Sequence, residues 1–189
     1  QCLIDVGMFF TDDPPLIIAQ KISEKIGNKD VLYIDPTVES NNIKIYSKGK
    51  IIDYTGGLTD AFVFFGYHAI TGFDIKMPDC KGLVTLSADT TLRSLSQGIF
   101  RLRQIGRGQT IDYVSDITFE SNKDILDHVT KNQTKERVQK QTLHNKQNIY
   151  TIIRQLNFEN SWVKQTHNQI PLLLSEQIDI LDAELKASG

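Results

Sequence analysis

Only two cysteines, Cys2 and Cys80, and a single tryptophan occur in the 189 residues. The cysteines are far apart and form no Cys-x-x-Cys pair, which argues against a disulfide framework and for a reducing, cytoplasmic compartment. An excess of charge is also missing. Lys and Arg number 21 against 23 Asp and Glu, a formal net charge of -2, which gives no general pull toward nucleic acid, an anionic membrane or an acidic substrate. No apolar run approaches the roughly 20 residues that span a bilayer. The longest, around Ala61–Phe65, is strand-sized, so no membrane partner is expected. No basic segment precedes an apolar one at the start, so a signal peptide is not expected. The chain opens inside an apolar stretch without an initiator methionine and reads as a fragment of something larger.

Two kinds of site are missing as well. His128, His144 and His167 have neither i,i+4 pairing nor cysteine neighbours, so they read as exposed helix residues and no metal site is expected. No G-x-x-x-x-G-K-[ST] phosphate loop occurs, since Gly49-Lys50 is followed by Ile51 and lacks the upstream glycine.

What is there is an α/β pattern. Hydrophobic residues make up 40% and charged residues 23%, the balance of a globular domain. Short apolar runs predict strands at Leu3–Val6, Val31–Asp35, Ala61–Phe65, Leu83–Leu86 and Ile111–Val114. Continuous apolar runs of this kind suit strands covered by helices on both faces. Ile43–Tyr46 and Ile51–Tyr54 flank Ser47-Lys48-Gly49-Lys50 and predict a hairpin. Asp12-Asp13-Pro14-Pro15 announces a helix that Gly27-Asn28 stops. A second helix is predicted over Leu92–Gln104, with Asp89, Thr90 and Thr91 available to cap it. After about Asp116 the chain turns polar and Lys/Asn/Gln-rich, and a stronger apolar helical pattern follows at Ile170–Leu185. The expected organisation is an α/β domain at 1–118 and a helical extension at 119–189.

Two clusters carry candidate chemistry. On a helix, Leu92, Leu95, Ile99 and Leu102 share one side, and Arg93, Gln97, Arg101 and Gln104 share the other. The planar, permanently charged guanidinium suits a phosphate at an interdomain cleft. The plainer reading is a solvated helix face. The second cluster, Tyr67 to Pro78, follows a predicted buried strand, and the carboxyl ends of such strands are where open α/β sheets bind ligands. Gly72 permits close backbone approach, and Asp74 could orient an arginine or a ligand hydroxyl. The plainer reading here is an ordinary loop.

Together the clusters resemble the last two motifs of superfamily-two helicases and Swi/Snf-type remodellers. Thr71-Gly72-Phe73-Asp74-Ile75 looks like the R-G-x-D-I form of the fifth motif, without its preceding alanine-arginine pair. Gln97 and Arg101 look like the opening of the sixth, Q-x-x-x-R, and Ile105-Gly106 echoes its remodeller form. Gln104 stands where the usual second arginine would be, with Arg103 one residue earlier. A broader resemblance adds Leu3-Ile4-Asp5-Val6-Gly7, Leu32-Tyr33-Ile34-Asp35, His68-x-x-Thr71-Gly72-x-Asp74-Ile75-Lys76 and Gln97 to Ile111. It is to a family of very large helicase-like proteins, some labelled ubiquitinyl hydrolase, with a Gly-Lys-Thr phosphate loop upstream.

The resemblance implies a RecA-like, P-loop NTPase-type three-layer fold. It implies an arginine finger from Arg101, or Arg103, acting on ATP and Mg2+ held by a first RecA-like lobe elsewhere. Gln97 would couple nucleotide state to lobe closure, and His68, Thr71, Gly72, Asp74 and Gln104 would shape the nucleotide cleft. The chain alone is expected to be inactive, and its parent's substrate could be nucleic acid or protein. The hydrolase label raises a second reading, with Cys2 or Cys80 as nucleophile and His68 as base, although no cysteine-hydrolase signature surrounds either thiol. A third treats the chain as a degenerate scaffold or protein-interaction module. In it, the polar tail, which carries Lys123, Lys131, Lys135, Arg137, Lys140 and Lys146 together with Asp124, Asp127 and Glu136, or Trp162 with Phe158, would meet a partner.

Overall fold

The structure is a computed structural model that describes residues 1–39, 42–56, 60–73 and 75–159. The chain divides into two compact units, Gln1–Thr130 and Lys131–Gly189. Among the described residues the first holds a seven-stranded sheet in the order β4-β3-β2-β5-β1-β6-β7. The strands are β1 (Cys2–Ile4), β2 (Val31–Ile34), β3 (Ile43–Ser47), β4 (Lys50–Asp53), β5 (Phe62–Phe65), β6 (Lys81–Leu86) and β7 (Thr110–Ser115). β2, β5, β1, β6 and β7 run parallel, while β3 and β4 add an antiparallel hairpin at one edge. The protein is therefore α/β with a mostly parallel mixed sheet.

Alternation along the central strands feeds two cores. Cys2, Ile4, Val6, Leu32, Ile34, Val63, Phe65, Val84 and Leu86 face one side. They are covered there by Leu95 of α2 (Leu92–Ile99), by Leu102, and by Ile125 and Val129 of α3 (Asn122–Glu159). Leu3, Val31, Tyr33 and Phe64 face the other side, against Ile18 and Ala19 of α1 (Pro15–Lys25). Burial on both faces is why these strands read as unbroken apolar runs. The coverage is unequal, since α1 packs on the β2, β5 and β1 part of its face, while Leu83 and Val114 further along the sheet remain exposed.

Local signals set the boundaries. Pro15 occupies the first position of α1, where no amide is needed. Gly27 and Asn28 end the helix with φ of 81° and 60°, and the Asn28 amide bonds the Ser23 carbonyl. The β3–β4 hairpin turns on Lys48 and Gly49, both at positive φ (47° and 83°), the primed-turn conformation that matches strand twist. Of the three possible caps on α2, Thr91 is used, its side chain accepting from the Ser94 amide at 3.2 Å.

α2 is shorter than its periodicity predicts. It ends at Ile99 rather than Gln104. Arg101 and Leu102 donate to Gly98 and Ile99, bonds that tighten the last turn. Leu102 then drops into the core against Gly82, where a Cβ would lie 2.5 Å from its Cδ1. Gly106 and Gly108 follow at positive φ and carry the chain back to β7.

α3 is the polar stretch read as helical. Ser121 Oγ accepts from the Asp124 amide at its start, and Ile125 and Val129 are its buried residues in the first unit. Within the second unit the helix shows Val138, Leu143, Tyr150 and Ile152 to solvent. The predicted helix at Ile170–Leu185, with Trp162 and His167, lies outside the described residues. No described helix is long and apolar enough to cross a membrane.

Gly98 is where helix α2 touches the sheet. A Cβ there would lie 2.3 Å from Val6 Cγ2 and 3.3 Å from Ile4 Cγ2. Alanine would improve helix propensity by about 1 kcal/mol, while overpacking a closed core costs about 1–3 kcal/mol or more. Gly98→Ala is expected to lower stability, read as a lower urea midpoint with an unchanged m-value.

Candidate functional site

The carboxyl ends of the parallel strands carry the site. β1 is followed directly by Asp5, which is completely buried. Its carboxylate accepts from Thr85 Oγ1 at 2.8 Å and from the amides of Phe9 and Phe10 at 2.9 and 3.1 Å. Thr85 Oγ1 in turn accepts from the Gly7 amide at 2.8 Å. Gly7 is needed for that approach, because a Cβ would lie 2.9–3.0 Å from the backbone of Leu86 and Ser87. The network fixes the β1–α1 loop and sets Phe10 edge-on against Phe64, with ring centroids 6.1 Å apart.

Beyond it lies a cleft of about 530 Å³ between the loops that follow β1, β2 and β5. Its lining includes Phe10, Asp12, Asp13, Asn42, Tyr67 and His68. On the β2 side, Asp35 caps its own turn, accepting from the Thr37 hydroxyl at 2.6 Å and the Thr37 amide at 3.0 Å. Those two bonds hold its carboxyl below the usual range.

The residues predicted from sequence distribute as follows. His68 is exposed, lines the cleft and packs edge-on to Tyr67 at 5.9 Å. Thr71 and Gly72 are exposed on the crossover to β6, with Gly72 at φ 86°. Asp74 lies outside the described residues. Gln97 is half-buried on α2, while Arg103 and Gln104 are exposed beyond its end. Arg101 is half-buried and donates from Nη1 to the Phe73 carbonyl. Arg101 therefore joins the two clusters at Phe73.

The outward Arg93-Gln97-Arg101-Gln104 stripe does not persist as one helical face. The helix stops at Ile99, and Arg101 turns in against the crossover while Gln104 joins a loop. α2 runs back from the carboxyl end of β6, so Leu102 reaches Gly82 near the amino end of that strand. Phe73 lines the cleft, and no residue of the Gln97–Gln109 segment does.

Gln109 is the residue whose role sequence reading missed. It is 1% exposed. Its Oε1 accepts from the Gln104 amide at 2.8 Å, and its Nε2 donates to the carbonyls of Met77 and Pro78 at 3.1 and 3.0 Å. Gly108 beside it packs against Asp79, whose carboxylate would lie 2.4 Å from any Cβ. Much of the Gly108-Gln109 signature thus ties the arginine-bearing loop to the crossover. A glutamine in an otherwise charged, glycine-rich stretch was the available signal. Asp5, a charge closing an apolar run, was the other.

The cysteine-nucleophile reading finds no support in this geometry. Cys2 is buried against the core, and burial first, then the neighbouring Cys80 thiol, pushes its pKa up to about 12. A thiol held protonated is a poor nucleophile. Cys80 immediately precedes β6 at its amino end, whereas His68 follows β5 at its carboxyl end. Among the described residues no group of three or more His, Cys, Asp or Glu could hold a metal ion.

No protein-family model, curated protein or solved structure matches the chain.

Two measurements check this account. Gln109→Ala strands two carbonyls and one amide, each worth about 1–3 kcal/mol when buried and unsatisfied. It should destabilise the first unit and raise amide exchange at Gln104. The Cys2 thiol supplies a pH test. A folded-state pKa of about 12 against 9.0 for an ordinary thiol gives stability fully present below pH 9.0 and lost as pH rises toward 12. Urea midpoints should fall above pH 9.0 more steeply than in Cys2→Ala, while thiol reagents at neutral pH modify Cys80 before Cys2.

Proposed function

We propose that residues 1–118 are the second RecA-like lobe of a helicase-type ATPase, with Arg101 as the arginine that reaches nucleotide held on a first lobe. The observation that carries this reading is the Arg101 Nη1 bond to the Phe73 carbonyl. It joins the segment resembling the sixth helicase motif to the one resembling the fifth, although 28 residues separate them. The guanidinium donates this bond, which helps to position its planar fork. Gln109 fixes the same loop from its other end.

The chain's own residues suit the donor role and not the holding role. Gly49-Lys50, the nearest sequence echo of a phosphate loop, lies in the exposed β3–β4 hairpin, with Gly49 in its turn and Lys50 opening β4. The cleft among the described residues is lined by no lysine or arginine. ATP and Mg2+ would accordingly sit on the first lobe. There the metal would neutralise phosphate charge, while this lobe would contribute Arg101, or Arg103 beside it, and Gln97 on α2.

The test is steady-state ATP hydrolysis by a longer protein in which a first lobe precedes these residues. Arg101→Ala should reduce turnover by roughly 10³-fold or more, and Arg101→Lys should not restore it, because a point charge lacks the planar fork. Retained circular dichroism and a retained urea midpoint must accompany the loss, since Arg101 also braces the crossover. Turnover unchanged by Arg101→Ala and lost in Arg103→Ala would transfer the role. A folded two-lobe protein that neither binds nor hydrolyses ATP would sink the motor reading. It would leave the degenerate scaffold as the reading.

A further inference from the structure

We propose that the cleft at the carboxyl ends of β1, β2 and β5 receives a basic side chain, lysine or arginine, presented by a partner polypeptide. The proposal does not depend on the ATPase reading, because the Gln97–Gln109 segment contributes nothing to this cleft. At about 530 Å³ the cleft falls within the size of small-molecule and side-chain sites, roughly 300–1,000 Å³.

Its walls are rings. Phe10, Phe64, Tyr67, His68 and Phe73 all line it. Phe10 meets Phe64 at an interplanar angle of 86°, and Tyr67 meets His68 at 73°. Ring faces carry partial negative charge and attract cations. The buried Asp5 network holds one of these walls in place, because it fixes the amide of Phe10 itself.

Its formal charges are all of one sign. Asp12 and Asp13 stand on the lining, with no lysine or arginine among the described lining residues. Lys21, which meets Asp13 at 2.5 Å, is outside the cleft. Asp12 forms no ion pair among the described residues.

This combination discriminates between ligand chemistries. A phosphate would enter against the carboxylate of Asp12 with no lysine or arginine on the described lining to meet it. A neutral apolar group would gain the rings and leave Asp12 without an ion-pair partner among the described residues. A lysine or arginine side chain satisfies both halves, laying its methylene stem along the rings and carrying its charged head to the carboxylates. The surface beside the cleft indicates that the cation comes attached to a chain. Met8 and Phe9 directly precede Phe10 and are 47% and 38% exposed, so apolar surface continues past the cleft and could pack a flanking segment.

The test is a titration of the full chain followed by backbone amide chemical shifts. The probes are Nα-acetyl-lysine methylamide, its arginine counterpart, the neutral isostere Nα-acetyl-norleucine methylamide, AMP, and a short lysine-bearing peptide. The expected result is saturable shifts at Phe10, Tyr67 and His68 with the two cationic probes, several-fold weaker binding of the norleucine derivative, and tighter binding of the peptide than of capped lysine. Asp12→Asn should weaken the cations several-fold, leave the norleucine derivative unaffected and keep the amide spectrum otherwise intact. Equal affinity for lysine and norleucine, preference for AMP, or no movement of the cleft amides would overturn the proposal. Peptide binding no tighter than capped lysine would overturn the polypeptide assignment.

Discussion

A buried carboxylate must be surrounded by donors or it destabilises the fold by several kcal/mol, and Asp5 draws its donors from three residues in two segments. The Thr85 hydroxyl comes from β6, and the amides of Phe9 and Phe10 come from the chain ahead. Because Thr85 Oγ1 also accepts from Gly7, the β1–α1 loop has one path off the sheet. That path places Phe10 on Phe64, which walls the cleft, and leads into α1 over the β2, β5 and β1 side. Remove the charge network and the sheet can still pair, but its carboxyl edge loses its shape.

A second brace lies on the opposite face. Gln109 and Arg101 both donate to carbonyls of the crossover between β5 and β6, at Met77, Pro78 and Phe73. Among its described residues the crossover has no regular structure beyond the 3-10 turn at Tyr67–Ala69, so side-chain donors supply the bonding that a helix would otherwise provide internally. Residues that resemble catalytic motifs therefore also have a structural task. A substitution there has to be read on stability and on activity together.

The fold was legible where burial dictates sequence. Val31–Ile34 and Phe62–Phe65 are enclosed by helix-covered cores, so their runs are apolar without a gap. The hairpin was legible because Lys48 and Gly49 sit where a turn needs positive φ. The end of α2 was not. Leu102 keeps the helical spacing from Leu95 and Ile99, yet it reaches the core from a turn, and only the space left by Gly82 makes that possible. The site followed the same division. The position of His68 at a strand's carboxyl end came from the order of elements, whereas the meeting of Arg101 with Phe73 depends on a tertiary approach that no local pattern encodes.

The hairpin that closes one side of the sheet also limits what can be added there. β4 is four residues long, every one exposed, with Ile51 and Ile52 more than half bare or nearly so at 54% and 50%. An apolar border of this kind invites another strand to lie alongside it. Lys50 and Asp53 stand at its two ends, and Asp53 is bound back to Lys44 of β3 at 2.6 Å. A newcomer would have to desolvate charges at both ends to gain two isoleucines in the middle. Short length and charged ends are the features by which edge strands resist templating, and β4 has both.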